Sequence, residues 1–332
     1  MSDVRFYHQL LAGGRRIERF REAIERTVRP GDVVLDLGTG LGTFALFAAR
    51  AGAARVWALD AEPVVHAARE LARANGFGDV IRWVRGAAPE ALPDETFDVI
   101  LFEDYPIRLF DERVYRLMRA VLARLRPDGG RLLPGAARLV AAPVAGERLR
   151  RLLFPLEGAE RGAFGLDWRC TRPYVANTPL ATAVEPSEVA AEPVALGRVA
   201  LHPLPACGDL GGGGETAASR SAALTGVALW FDLELDDDLL VSNAPDPGDE
   251  PWGPLVLPLD PPLPVEAGTA LRLEVAYEPL ADGAPGWLRW RVCAGGEERR
   301  GHEFAAYPAA LADLYEQGGE GAAPERPKDP DP

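Results

Sequence analysis

Val33-Val34-Leu35-Asp36-Leu37-Gly38-Thr39-Gly40-Leu41-Gly42 is the stretch that decides the fold, because an apolar run leads directly into three spaced glycines. A short apolar run bounded by glycines predicts a buried strand. The glycines let the backbone turn sharply and approach a ligand at the N-terminus of the next helix. Their spacing is GxGxG, and Thr43 occupies the place of the third glycine in the dinucleotide fingerprint GxGxxG.

Strand and helix patterns alternate around this stretch. The predicted strands cover residues 33–37, 56–59, 80–84 and 97–102. The predicted helices cover residues 44–51, 63–75 and 113–124, and one more lies within residues 1–30. Such alternation is typical of a parallel sheet covered by helices.

The pattern changes near Pro134. From there the sequence predicts short strands at residues 138–144, 199–204, 227–235, 255–259, 271–277 and 287–292. Many short strands without helical periods between them indicate an antiparallel sandwich or barrel. We expect residues 208–214, which are rich in glycine, to be a flexible loop, and residues 317–332 to be a disordered tail.

Composition narrows the classes of function. The 332 residues suffice for about two domains. The sequence contains no run of about 18 apolar residues, so it predicts no membrane span. The formal net charge is -14, which argues against nucleic acid as a partner and is compatible with a cationic substrate. The three cysteines and four histidines are scattered, so we expect a cytoplasmic protein without a disulfide framework or a metal.

Asp60 closes the second predicted strand. A carboxylate at this place can accept both ribose hydroxyls of a nucleoside that lies across the sheet. Taken alone, Asp60 could equally cap the next helix. Together with the glycine loop it predicts an adenosyl ligand, bound by Asp36, Gly38, Gly40, Gly42 and Asp60.

Glu103 and Glu112 bracket the loop after the fourth strand. Loops beyond the carboxyl ends of parallel strands line the ligand crevice. Two carboxylates suit a guanidinium, which is always cationic and presents planar N–H forks. They would also offset its repulsion from a cationic methyl donor, which is about 4 kcal/mol at about 4 Å. From this loop alone, solvated loop acids, or a helix-capping role for Glu112, remain equally open.

These residues resemble the protein arginine methyltransferase family over nearly the whole chain. Its double-glutamate loop has the separation of Glu103 and Glu112, which the resemblance implies clamp the guanidinium in catalysis. Residues 10–16 are similar to the family's Met-Leu-x-Asp-x-x-Arg, so Arg16 would bind the carboxylate of S-adenosyl-L-methionine, with Glu103 also at the cofactor. The product of the donor would be S-adenosyl-L-homocysteine.

The resemblance also implies an α/β Rossmann-like methyltransferase domain followed by an antiparallel β-barrel domain with an inserted dimerisation arm. The expected boundaries are residues 1–30 for the helical segment, 31–134 for the Rossmann-like domain, 135–316 for the barrel and about 147–185 for the arm. Residues 164–167 are similar to part of that arm. The implied partner is a second copy of the chain, bound through the arm.

Four departures from the family bear on the acceptor site. The Thr-His-Trp loop is Glu250-Pro251-Trp252 here, and Gly13 stands in place of the aspartate that pairs with the missing histidine. We therefore expect a rebuilt site in which Glu250 and Trp252 bind substrate. Pro89 stands where many relatives have an adenine-contacting glutamate, and the next residue, Glu90, could take over that role. The family's aromatic Tyr-Phe-x-x-Tyr segment has no counterpart in the sequence.

The sequence thus predicts N-methylation of the guanidinium of free L-arginine or a small arginine-like metabolite in specialised metabolism. Arg108 is a candidate to bind the carboxylate of such an acceptor. A first alternative is methylation of arginine within a protein or peptide. A second is a catalytically inactive scaffold of the same fold.

Overall fold

The computed structural model describes residues 4–245 and 253–303. The chain begins with two helices, α1 (Val4–Ala12) and α2 (Arg15–Thr27), where the sequence predicts one. The break falls at Gly14, whose φ of 66° lies in the left-handed region that glycine adopts without strain. Helix α2 buries Phe20, Ala23 and Ile24, spaced three and four residues apart, against the parallel sheet domain.

The first domain is a parallel sheet. Its strands are β1 (Val33–Leu37), β2 (Arg55–Asp60), β3 (Ile81–Arg85), β4 (Val99–Phe102) and β5 (Arg131–Leu133). Their order is β3-β2-β1-β4-β5, and every pairing is parallel. Helices α3 (Thr43–Arg50), α4 (Val65–Ala74) and α5 (Glu112–Leu122) connect them. The order reverses between β1 and β4, which places the ligand crevice at their carboxyl ends. The predicted α/β architecture is confirmed.

The second domain contains two antiparallel sheets in a barrel-like arrangement. Its strands are β6 (Ala136–Val144), β7 (Leu180–Ala181), β8 (Val194–Ala200), β9 (Gly211–Ala217), β10 (Ala222–Asp236), β11 (Leu239–Ser242), β12 (Leu255–Val265), β13 (Ala270–Pro279), β14 (Pro285–Ala294) and β15 (Glu297–His302). One sheet has the order β7-β12-β10-β6-β8 with β11 on β10, and the other β15-β14-β13-β9. Within the described ranges, no helix is both long and apolar enough to cross a membrane.

The prediction of a flexible glycine-rich loop at residues 208–214 is wrong for its second half. Gly211 to Gly214 form the start of β9 and pair with β13. Packing explains the composition, because a Cβ at Gly212 would lie 2.0 Å from the carbonyl oxygen of Leu196 in β8. Glycine is needed here so that two backbones can approach closely, not for mobility.

A helical segment is inserted between β6 and β8, with α6 (Glu147–Leu153) and α7 (Arg172–Ala176) at its two ends. Asp260 in β12 joins these ends: its carboxylate accepts from Arg150 Nη2 at 2.8 Å and from Arg172 Nε and Nη2 at 2.7 Å each. Both guanidinium groups also lie over the ring of Phe154, at 3.9 and 5.3 Å from its centre. One largely buried acid therefore ties the inserted segment to the barrel.

We expect Asp260→Asn to lower the free energy of unfolding by about 2–3 kcal/mol, because it leaves two guanidinium groups with less charge to balance them. Urea denaturation measures that loss, and hydrogen exchange should rise across residues 147–176. Asp167→Asn is the matched control, since Asp167 pairs with Arg169 on the exposed surface of the same segment. Equal losses in both variants would contradict the anchoring role of Asp260.

Candidate functional site

A cavity of about 530 Å³ lies at the carboxyl ends of β1, β2 and β4 and is bounded by α1 and α2. We call it the cleft. Gly38 and Gly40 line it with φ values of 74° and 53°. A Cβ at Gly40 would stand 2.4 Å from the Tyr7 ring. Glycine is thus required twice over at Gly40, by the backbone angle and by the ring packed against it.

Asp36 lies beneath the loop and is not among the residues that line the cleft. Its buried carboxylate accepts from Thr39 Oγ1 at 2.5 Å and from the Ala45 N–H in the first turn of α3 at 3.0 Å. Burial raises the pKa of Asp36 to about 6. Its contacts therefore organise the glycine loop from below.

Asp60 ends β2 and lines the cleft, as the sequence predicts for a ribose-binding residue. One carboxylate oxygen accepts from the Gly40 N–H and the other from the Glu62 N–H, each at 2.8 Å. Each oxygen keeps a lone pair for a further donor. The position fits a pair of vicinal hydroxyls. Glu62, which no sequence pattern indicated, also lines the cleft.

Arg16 and Glu103 meet in the cleft. Arg16 on α2 is 4% exposed, and its Nη1 lies 2.5 Å from Glu103 Oε1 at the end of β4. A guanidinium has five N–H donors, so Arg16 can hold Glu103 and a ligand carboxylate together. The residues present thus fit an adenosyl amino acid, with Asp60 for the ribose and Arg16 for the carboxylate.

Glu112 is placed differently. It is the first residue of α5, whose N-cap Asp111 accepts from the Val114 N–H at 2.7 Å. Its side chain is 42% exposed, and its Oε1 lies 2.5 Å from Arg116 Nη1. Glu112 lines a second cavity of about 700 Å³, which we call the adjoining cavity. In this conformation the structure does not bring both glutamates into one cavity.

The cleft and the adjoining cavity are neighbours. Both are lined by Ala87, Ala88, Arg113 and Leu117. Glu112 therefore sits one cavity away from Glu103. The other two predicted acceptor residues, Glu250 and Trp252, lie outside the described residues.

The loop between the two glutamates is packed and strained. Leu109 is fully buried with φ 74°, a left-handed conformation that costs free energy in a leucine. The Tyr105 ring contacts Phe102 and Phe110 edge-on, with centres 4.7 and 6.2 Å apart. Burial raises the pKa of the Tyr105 phenol above its usual range, so Tyr105 stays neutral beside the cleft.

Three further placements differ from what the sequence led us to expect. Phe6 and Tyr7 of α1 line the cleft, although we expected no aromatic counterpart of the family's segment. The spacing of Tyr7, Leu10 and Leu11, which put all three on one helix face, is the signal that could have found them. Arg108 pairs with Glu303 at 2.7 Å, so a barrel carboxylate already engages its guanidinium.

Asp36→Asn should flatten the dependence of stability on pH. Because burial raises the folded pKa of Asp36 to about 6 from its usual value near 4, the native state holds the proton more tightly than the unfolded chain. The tighter proton binding of the native state therefore stabilises the fold below about pH 4, and this stabilisation is lost as the pH rises through 6. We expect the melting temperature of the wild type, relative to Asp36→Asn, to fall between pH 4 and 6. A constant difference over that range would contradict the assignment.

The chain is similar to several known methyltransferases. Residues 34–129 match the model described as "Methyltransferase domain". Protein arginine N-methyltransferase 6 of Xenopus laevis is 29% identical over 322 residues, covering 91% of this chain and 92% of the relative. Arginine N(omega)-methyltransferase of Streptomyces achromogenes subsp. streptozoticus is 28% identical over 287 residues, covering 82% and 76%.

Solved structures share the fold. The PRMT1 enzyme-prozyme heterotetrameric complex of Trypanosoma brucei with AdoHcy superimposes with a TM-score of 0.77 at 22% identity, covering 89% of this chain and 97% of that one. Protein arginine methyltransferase 10 of Arabidopsis thaliana superimposes with a TM-score of 0.73 at 19% identity, covering 91% and 98%.

Proposed function

We propose that the chain is a member of the protein arginine methyltransferase family and that it methylates the guanidinium of free L-arginine, or of a small arginine-like metabolite, with S-adenosyl-L-methionine as the donor. One observation carries the proposal for the acceptor. Glu103 stands in the cleft, only 18% exposed, and already holds a guanidinium at 2.5 Å, that of Arg16. A carboxylate that binds one guanidinium beside the cofactor loop is chemically suited to bind a second.

Binding of the donor rests on residues around the glycine loop. S-adenosyl-L-methionine supplies an electrophilic methyl group on a positively charged sulfur. Asp60 receives the ribose hydroxyls, and Arg16 receives the amino acid carboxylate. Gly38 and Gly40 keep the loop free of side chains, as their backbone angles allow.

Glu103 and Glu112 act on the acceptor. Their carboxylates accept N–H bonds from the guanidinium, which aims one terminal nitrogen at the methyl group and holds it there. Their charges offset the repulsion between acceptor and donor, about 4 kcal/mol at about 4 Å. When the nitrogen takes the methyl group, the guanidinium releases one N–H proton to a carboxylate or to water.

A small acceptor is favoured by two observations. The Streptomyces relative is named an arginine N(omega)-methyltransferase and covers 82% of this chain. Gly13 also replaces the family's aspartate, while Glu250 and Trp252 stay predicted acceptor contacts. Specialised metabolism is the setting that we propose for such a reaction. Methylation of arginine in a protein is the second candidate, favoured by the similarity to the Xenopus enzyme.

We predict that the wild type transfers labelled methyl groups to L-arginine. Glu112→Gln should lower kcat by about 100- to 1000-fold, because the transition state loses one of the two carboxylates that stabilise it. Mass spectrometry of small-molecule products measures the transfer. Titration with S-adenosyl-L-homocysteine should give an unchanged Kd for Glu112→Gln. Glu103→Gln should lower kcat as well and also weaken the donor, since Glu103 holds Arg16.

Glu70→Gln is the matched control, because Glu70 pairs with Arg73 on the exposed face of α4. An arginine-glycine peptide separates the two candidate acceptors: labelling of the peptide alone would favour the protein-directed function. Full turnover by Glu112→Gln would instead contradict the two-carboxylate mechanism.

We also propose that the chain forms a homodimer through the segment between β6 and β8, the predicted arm. Its apolar tip supports this, since Phe164 is 91% exposed and Leu166 57% exposed. Phe164 also adopts a φ of 55°, which directs the chain through a tight turn at that tip. Two large apolar side chains held in water on one short segment are typical of a surface that a partner covers.

Phe164→Asp should therefore convert the dimer to a monomer without loss of folding, because the ring contributes little to the core of one chain. Sedimentation velocity measures the mass and circular dichroism the fold. Ala54→Asp adds the same charge at an exposed turn before β2 and should leave the dimer intact. A wild type that sediments as a monomer would overturn the proposal.

A further inference from the structure

Each glutamate of the proposed clamp already holds a guanidinium from the chain itself. Arg16 binds Glu103 and Arg116 binds Glu112, both at 2.5 Å. The two contacts differ in solvation: the Arg16 side chain is 5% exposed, whereas the Arg116 side chain is 49% exposed. The first pair is a fixed part of the cleft, and the second is open to exchange.

Arg116 stands between carboxylates of the two domains. Its Nη1 faces Glu112 in its own helix, while its Nε donates to Asp282 Oδ2 at 2.9 Å and its Nη2 lies 2.9 Å from the same oxygen. Asp282 lies in the turn between β13 and β14. The Ala284 N–H and the Arg116 guanidinium both lower the pKa of Asp282, which favours its charged form.

We propose that Arg116 is a resident competitor of the acceptor, and that its separation from Glu112, while it stays paired with Asp282, opens the acceptor site. The inference rests on the proposed function. An acceptor guanidinium has the same charge, shape and N–H donors as Arg116, so the two compete for one carboxylate. Methylation then requires that Glu112 releases Arg116 first.

The structure makes this release local. The Asp111 cap fixes the backbone at the start of α5, so only the Glu112 side chain has to turn. Glu112 lines the adjoining cavity, which shares Ala87, Ala88, Arg113 and Leu117 with the cleft. A turn of one side chain can carry its carboxylate from the adjoining cavity toward Glu103.

Asp282 lowers the free energy that is needed to separate Arg116 from Glu112. Arg116 keeps both contacts to Asp282 when Glu112 departs, so no cation is left without a partner. The other two arginines near Glu112 are placed differently: Arg108 is paired with Glu303, and Arg113 follows Glu112 directly in the helix. Arg116 alone, among the described residues, bridges Glu112 to the barrel domain.

Steady-state kinetics on L-arginine test the competition. Only enzyme in which Glu112 is free binds the acceptor, so the apparent affinity falls with the fraction that Arg116 occupies. We expect Arg116→Met to lower KM for L-arginine about three- to tenfold, with kcat within about twofold of the wild type. Arg116→Lys, which keeps the charge without the planar fork, should give an intermediate KM.

Asp282→Asn removes the alternative partner, so Arg116 should hold Glu112 more firmly and KM should rise by about two- to fourfold. In the double variant Arg116→Met/Asp282→Asn, KM should equal that of Arg116→Met, because Asp282 acts only through Arg116. Arg119→Met on the same exposed side of α5 is the control and should match the wild type. Melting temperatures verify that every variant is folded.

A KM that rises or stays unchanged in Arg116→Met would overturn the competition and leave Arg116 as an ordinary helix ion pair or a positioning residue. That outcome is distinct from failure of the proposed function, in which the wild type itself methylates no L-arginine. In the latter case no acceptor guanidinium competes with Arg116, and the inference falls together with the function.

Discussion

A buried guanidinium and a carboxylate that is only 18% exposed meet at the end of β4 and help to hold the leading helices against the parallel sheet. Arg16 comes from α2 and Glu103 from the end of β4, so their contact joins two parts of the chain 87 positions apart in sequence. Either charge alone in this cleft would carry an uncompensated desolvation cost of about 3–5 kcal/mol. Together with the buried apolar face of α2, the pair therefore holds the start of α2, and with it α1 and its aromatic side chains, beside the glycine loop.

The two glutamates of this loop thus differ in solvent exposure and in the arginine that each one faces. Glu103 is 18% exposed and faces a buried cation, whereas Glu112 is 42% exposed and faces a surface arginine that is 49% exposed. The loop between them is not free to adapt as a whole, since Leu109 is locked in a left-handed conformation by its own burial. Rigidity in the loop leaves motion to the Glu112 side chain.

Much of the architecture could be predicted because apolar periodicity reports which faces of a chain are buried. The run from Val33 to Leu37 and the alternation after it are sufficient for a parallel sheet, and the glycines place the cleft at its carboxyl edge. Periodicity does not report close backbone packing. Gly211 to Gly214 therefore looked like a loop, although the approach of Leu196 in a distant strand makes them a strand.

The same division holds at the site. The sequence by itself determined the resemblance to arginine methyltransferases, the glycine loop, Asp60 and the spacing of Glu103 and Glu112, because these depend on local chain geometry and on residue chemistry. Only the tertiary structure decided that Asp36 supports the loop from below, that Arg108 belongs to Glu303, and that Arg116 holds Glu112. Charged side chains choose among many partners of similar chemistry, and their choice follows from distances across the folded molecule that no local pattern encodes.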